Sequence, residues 1–257
     1  MNSFIKELKD KTPLASHKYF SSLMDGSMSL ELFKYSQLNF YSAVCYFSRP
    51  MFLLCSKMDN YTDRLTLLEN IMDEHGNGDI SNTHGETFKK YLQNLGINNR
   101  EMSEKISHPA VVNFYSIIEE TINCSNIETA IAMFGIIEDR YTEISSSIAL
   151  SLVKNGWLSA SQLVHYKNHQ ELDIYHAELF YKLVRKKWKE EESRLNIKKG
   201  LKVGNKVILD IYFDLLKSYN LSKAPRVDKT VWKIWIDIQE LWWNGYGACV
   251  PIKCVPI

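Results

Sequence analysis

The stretch NHQELDIYHAELF, Asn168–Phe180, sets His169, Asp173 and His176 inside one run of helical character. At about 100° per residue, Asp173 lies about 40° to one side of His169 and His176 about 20° to the other, so the three share a face. A single histidine on an apolar face needs only a hydrogen-bond partner and is most simply a core residue. Two imidazoles and a carboxylate on one stripe are costly to bury unless something ties them together. A divalent metal does so while the histidines stay neutral and the aspartate ionised. His165, one turn earlier, leans toward the same side without aiming at the same point, and is assigned to the rim of the set.

Outward from this stretch, helical periodicity dominates and alternating strand runs are scarce, which predicts an all-α fold. Helices are expected over 13–24, 28–57, 60–75, 84–95, 101–123, 126–154, 160–194, 204–219 and 227–245. Pro50 should kink the second and Pro109 should kink or split the fifth. A capping box from Ser125 and Glu128 and a left-handed stop at Asn155-Gly156 delimit the helix from 126. The run RKKWKEEESRLNIKKG, 185–200, reads as a solvated tip closing a long helix. With no linker-like composition break, the 257 residues are taken as one helical domain, 1–257, with a core of about 28–195. The helices over 204–245, bearing Trp232, Trp235, Trp242 and Trp243, are taken as a packing or dimer face.

Lys plus Arg number 31 against 30 for Asp plus Glu, a formal charge of +1, so nucleic acid and anionic membranes are not expected partners and a small molecule is. The opening MNSFIKELKDKTP has charges where a signal peptide would have its apolar run, and no window approaches the ~18 apolar residues a membrane span requires. A cytoplasmic protein is the expectation. The five cysteines, Cys45, Cys55, Cys124, Cys249 and Cys254, contain no CxxC pair and are read as thiols.

One helix cannot enclose a metal. The segment ENIMDEHGNGDISNTHGETF, Glu69–Phe88, ends a helix at Glu74 and opens the next at His84, so these two can converge from either side of the break. A plain helix connection with solvated polar side chains is the alternative. His75 points about 100° away from Glu74 and is left out of the ligand set. Glu138 lies mid-helix in AIAMFGIIEDRYTEISSS on a face shared with Ile131, Phe134, Gly135, Tyr141 and Ser145, where a carboxylate needs a cation or a proton. Asp139, Arg140 and Glu143 fall toward other sides and are expected to be exposed.

Taken together, Glu74, His84 and Glu138, then His169, Asp173 and His176, resemble in type, order and spacing the metal ligands of the haem-oxygenase-like diiron oxidases and oxygenases. The likeness extends to an Asp73-Glu74-x-Gly76 bend before the first histidine, Gly135 three residues before the middle glutamate, and Ala177 after the last histidine, and it covers about Leu38–Leu183. Paired Glu-x-x-His motifs of the ferritin type and the His-Glu-x-x-His of zinc peptidases are absent.

The resemblance implies a haem-oxygenase-like bundle of about seven core helices plus C-terminal helices. It implies two Fe(II) ions held by the six named residues, O2 as co-substrate, an external electron donor, and no catalytic residue beyond the ligands. A carboxylate and imidazole set without thiolate agrees, since it suits Fe(II) or Mn(II). Members of that family cleave C–C bonds, oxygenate amine nitrogens, form alkenes or nitriles, or remodel a tyrosine-derived ring, often on free amino acids or fatty acids. The activity it implies here is O2-dependent oxidation of a free amino acid or amino-acid-derived small molecule in specialised metabolite biosynthesis. The absence of a lysine beside Glu138 argues against the self-modifying, ring-forming subgroup. Two other readings stand beside it: a metal-independent thiaminase-like or pyrroloquinoline-forming relative, and a non-catalytic iron-binding or effector protein. Tyr141 and Ser145 are candidate substrate contacts, and a close helix crossing accounts for the small residues equally well. Tyr35, Tyr41 and Tyr46, in the helix that covers the site in such proteins, are read first as core residues.

Overall fold

The computed structural model describes residues 1–104 and 107–223, the side chains of 164 and 167–173 excepted. Met1–Tyr219 form one compact unit, and a second begins at Asn220. The helix expected over 227–245, its four tryptophans, Cys249 and Cys254 lie outside the described residues.

The chain runs through α1 (Asn2–Lys11), α2 (Lys18–Asp25), α3 (Leu30–Tyr46), α4 (Ser48–Ser56), α5 (Tyr61–Glu74), α6 (His84–Asn94), α7 (Asn99–Ser103), α8 (Pro109–Cys124), α9 (Ile127–Lys154), α10 (Val164–Arg185) and α11 (Glu191–Lys223). No strand occurs among the described residues, so the fold is all-α as the periodicity predicts. No described helix is long and apolar enough to cross a membrane. Cys45, Cys55 and Cys124 are free thiols.

The prolines act where the sequence places them. Pro50 has no N–H to give the Tyr46 carbonyl one turn earlier, and the expected kink is a break between α3 and α4 at Phe47. Pro109 takes the first position of α8, with His108 Nδ1 accepting from Ala110 N at 3.0 Å, and α7 before it closes its own capping box between Asn98 and Glu101. The expected helix over 101–123 is therefore split.

Three expectations fail for identifiable reasons. The capping box at the start of α9 does not form: Asn126 is the N-cap without a side-chain bond, and Glu128 instead accepts from Lys187 Nζ at 2.7 Å. The left-handed stop does form, at Gly156 with φ 69°. The helix α1 was hidden by its lysines and acids, yet it buries Ile5 and half-buries Phe4 and Leu8. The helix expected over 160–194 stops at Arg185, because the charge run is two helix ends meeting. Lys182 and Arg185 lie in the last turn of α10, Glu191 and Glu192 in the first turn of α11, each sign suited to its helix dipole. Within the turn between them Trp188 packs on Phe4 at 6.2 Å between ring centroids, so the tip is not merely solvated.

Two close crossings hold the centre of the bundle. A Cβ on Gly200 of α11 would lie 2.1 Å from Thr129 O, and one on Gly204 would lie 2.4 Å from Met133 O, so α11 meets α9 backbone to backbone. On the other side, a Cβ on Gly135 of α9 would lie 2.8 Å from Tyr181 Cε1 of α10. The α9–α10 pair is thus drawn together just beside Glu138.

Candidate metal centre

The site starts from α5. Its last residue is Glu74, and the chain then reverses through Gly76, Asn77 and Gly78, all at positive φ. A Cβ on Gly76 would lie 2.8 Å from Thr83 N, so the returning strand of the bend leaves room only for glycine. The reversal puts His84, first residue of α6, with its Nδ1 2.7 Å from Glu74 Oε2.

The same end of α5 reaches two further helices. Asn70 Nδ2 donates to Glu138 Oε1 of α9 at 3.3 Å, and Asp73 Oδ2 lies 3.1 Å from His176 Nε2 of α10. Asn70, Asp73 and Glu74 stand at i, i+3 and i+4, one helical face. Each meets one residue from a different helix. Glu74, Glu138 and His176 each bring one ligand-capable atom to within 4.8 Å of the others.

Of the six expected ligands, the structure therefore gathers Glu74, His84, Glu138 and His176. The side chains of His169 and Asp173 lie outside the described residues, while their backbone belongs to α10, about two turns and one turn before His176 respectively. Asn70 and Asp73 were not anticipated. Their spacing from Glu74 is the signal that finds them once the inward face of α5 is known.

Burial makes the set demanding. Glu74 is 6% exposed, Glu138 3% and His176 0%, and like-charged carboxylates this close repel in a low-dielectric interior. His176 Nδ1 and Asn70 Oδ1 are buried with no hydrogen-bond partner among the described residues. A divalent cation would answer both the crowded negative charge and an orphaned ring nitrogen, and oxygen with imidazole donors and no thiolate suit iron. The residues fit that ion.

Beside the centre is a cavity of about 50 Å³. Glu74, His84, Glu138 and His165 line it together with Tyr141 and an apolar wall that includes Phe40, Val44, Phe47, Phe114 and Ile137. The α3 face turned to the cavity is thus Phe40, Ala43 and Val44. Tyr35, Tyr41 and Tyr46 pack instead on Tyr219, Phe88 and Tyr115. Of the two candidate substrate contacts, Tyr141 lines the cavity, and the Ser145 hydroxyl donates to Tyr141 O at 2.6 Å. His165 reaches the wall with Nδ1 3.0 Å from Thr87 Oγ1. His75 turns away, Nδ1 2.8 Å from Ile71 O and its ring 5.7 Å from Phe52.

Arg140, expected to be exposed, is 1% exposed. Its guanidinium donates to Glu143 and to the Thr12 carbonyl, tying α9 to the chain after α1. Asp139 and Glu143 are half-buried and pair with Lys9. Deeper in the bundle, Tyr91 and Tyr166 both donate to Gln37 Oε1, and burial holds their phenols well above the usual range, so they stay protonated.

A sequence profile of iron-containing redox enzymes matches residues 36–201. A 4-aminobenzoate synthase of Chlamydia pneumoniae is 19% identical over 226 residues, covering 86% of this chain and 94% of that protein. Among solved structures, a CADD-like protein of unknown function from Nostoc punctiforme has a TM-score of 0.69 at 12% identity, covering 84% of this chain and 97% of its own. A domain of unknown function with a haem-oxygenase-like fold from Shewanella denitrificans has a TM-score of 0.69 at 14% identity, with 87% and 91% covered. A TenA homologue from P. horikoshii has 0.65 at 15% identity, with 83% and 98% covered. At such identities the structural likeness speaks to the fold alone, which is haem-oxygenase-like.

Proposed function

This chain belongs to the family of iron-containing redox enzymes, and from that footing we propose that it is an O2-dependent non-haem diiron oxidase or oxygenase. The observation that carries the proposal is the convergence of Glu74, Glu138 and His176 within 4.8 Å, buried and flanked by His84. His169 and Asp173, on the helix of His176, complete the proposed set of six ligands. Bound there, two Fe(II) ions would supply the reduction of O2 that drives the oxidation, with an external donor returning electrons.

The chain's own groups do the rest. Glu74, Glu138 and the histidines hold the metals, and Asn70 orients the Glu138 carboxylate through Oε1. The phenyl and aliphatic wall keeps water from the centre. A cavity of about 50 Å³ admits a diatomic and a small group, so a larger substrate enters only as neighbouring side chains shift. Among the described residues, no lysine or arginine lines that cavity. We therefore take the substrate to be an amino-acid-like or amino-acid-derived molecule whose apolar part faces the iron and whose charged group lies outside this wall. The likeness to a 4-aminobenzoate synthase is in keeping, since 4-aminobenzoate is itself an aromatic amino acid. Two buried carboxylates in one cluster favour a bound cation over a metal-independent relative.

Anaerobic Fe(II) titration should saturate near two Fe per chain. Exposure of the loaded protein to O2 with a panel of amino acids should then give a transient absorption band with at least one of them. A plateau at zero iron, or zinc that iron cannot displace, ends the proposal.

A further inference from the structure

We propose that Asp73 is a positioning residue of this centre: it holds the His176 ring as the Nε2–H tautomer and leaves Nδ1 as a bare lone pair for iron. The metal half of this statement rests on the diiron reading above; the tautomer half does not.

The geometry is specific. His176 is fully buried, and its Nε2 lies 3.1 Å from Asp73 Oδ2. An ionised carboxylate only accepts, so the hydrogen between them belongs to Nε2, and a neutral imidazole has no second hydrogen for Nδ1. That leaves Nδ1 an acceptor, buried and without a hydrogen-bond partner among the described residues. His176 belongs to the group with Glu74 and Glu138 that could hold a cation, and Nδ1 is its ring nitrogen not already engaged by Asp73. Asp73 itself stays out of the three-residue group that could grip one ion.

Asp73 is in turn fixed by the bend that follows it. Its other oxygen, Oδ1, accepts from Asn77 Nδ2 at 2.8 Å, and Asn77 takes a left-handed conformation at φ 52°. The His-Gly-Asn-Gly sequence is thus more than a reversal. It delivers His84 to Glu74 and at the same time places an amide against the carboxylate that orients His176. Adjacent residues of one helix, about 100° apart, then serve two different histidines.

The test is read first in metal-free protein labelled with 15N-histidine, the His176 signals being assigned by comparison with His176→Gln. Wild type should show a protonated Nε2 and an unprotonated Nδ1. In Asp73→Asn that pattern should be lost, because an amide NH2 facing Nε2 favours the other tautomer. Fe(II) affinity should fall about 10- to 100-fold with an unchanged far-UV circular dichroism spectrum. Asn77→Ala should shift both readouts in the same direction by less. A protonated Nδ1 in wild type overturns the proposal whether or not any variant folds. Wild type and Asp73→Asn loading two irons equally tightly would also overturn it, and would leave the diiron reading standing. A wild type that binds no iron while its tautomer follows Asp73 supports the ring orientation and removes the diiron reading alone.

Discussion

His84 Nδ1 stands 2.7 Å from Glu74 Oε2, so the two ends of the bend over residues 75–83 close on each other through side chains as well as backbone. Replacing His84 by alanine removes a ligand without removing a helix. The expected outcome is loss of about one iron equivalent and of turnover, with the far-UV spectrum retained. Because buried Glu74 loses its His84 contact, the metal-free protein should also lose about 1–3 kcal/mol, readable from urea midpoints. His176→Ala should likewise abolish turnover while keeping the helical spectrum; unfolding of both variants in metal-free buffer would make these residues structural.

The glycine crossings should be intolerant to different degrees. A methyl at Gly200 meets the Thr129 carbonyl, a backbone atom, whereas a methyl at Gly135 meets the edge of the Tyr181 ring. Gly200→Ala should therefore cost at least the 1–3 kcal/mol typical of overpacking. Gly135→Ala should cost less stability but weaken iron binding, by parting α9 from α10 beside Glu138. Chemical denaturation and iron titration of the two variants separate these effects.

How far the sequence reaches is visible in these same positions. Glu74, His84, Glu138 and His176, which the structure brings together, were picked out by helix period, a helix break and the family resemblance, while the side chains of His169 and Asp173 lie outside the described residues. Asn70 and Asp73 were not picked out, since their roles depend on which side of α5 turns inward, a tertiary fact. Gly200 and Gly204 were overlooked for another reason: the surrounding lysines and glutamates mask an apolar stripe that includes Ile197 and Leu201, both fully buried. Arg140 shows the same limit from the opposite direction, a charge that angular reasoning sends outward until α1 and Thr12 arrive to cover it.

Neither His165 nor His75 should hold iron. His165 is engaged with Thr87 at the cavity wall, and His75 bonds its own preceding turn. Alanine at either position should preserve the iron stoichiometry, with activity lowered at most for His165. Loss of one iron equivalent in either variant would redraw the ligand set.

A pH-dependent component should appear on the alkaline side. Burial opposes the Lys9 charge, but its hydrogen bonds and attraction to Asp139 and Glu143 outweigh that, and the ammonium keeps its proton above the usual lysine range. The folded protein binds this proton more tightly than the unfolded chain does. The stabilisation is thus complete below about pH 10.4, the unfolded value, and is lost as the pH climbs through the higher folded one. Urea midpoints of wild type and Lys9→Met should differ by a constant amount from neutral pH to mildly alkaline pH, then converge. A difference that persists unchanged at the highest pH would contradict this assignment.

The helix α5 is thinly anchored for what it organises. Only Leu67, Asn70, Ile71 and Glu74 of its residues are buried, while Tyr61, Leu65, Leu68 and Met72 remain exposed. Elements of this kind open more readily than the core they rest on. Since α5 contacts His84, Glu138 and His176 through Glu74, Asn70 and Asp73, one opening motion releases those three contacts together. Amide exchange along Tyr61–Glu74 should therefore slow in step with metal occupancy, while exchange in the middle of α9 stays nearly constant, making this one helix a gauge of how much of the protein is loaded.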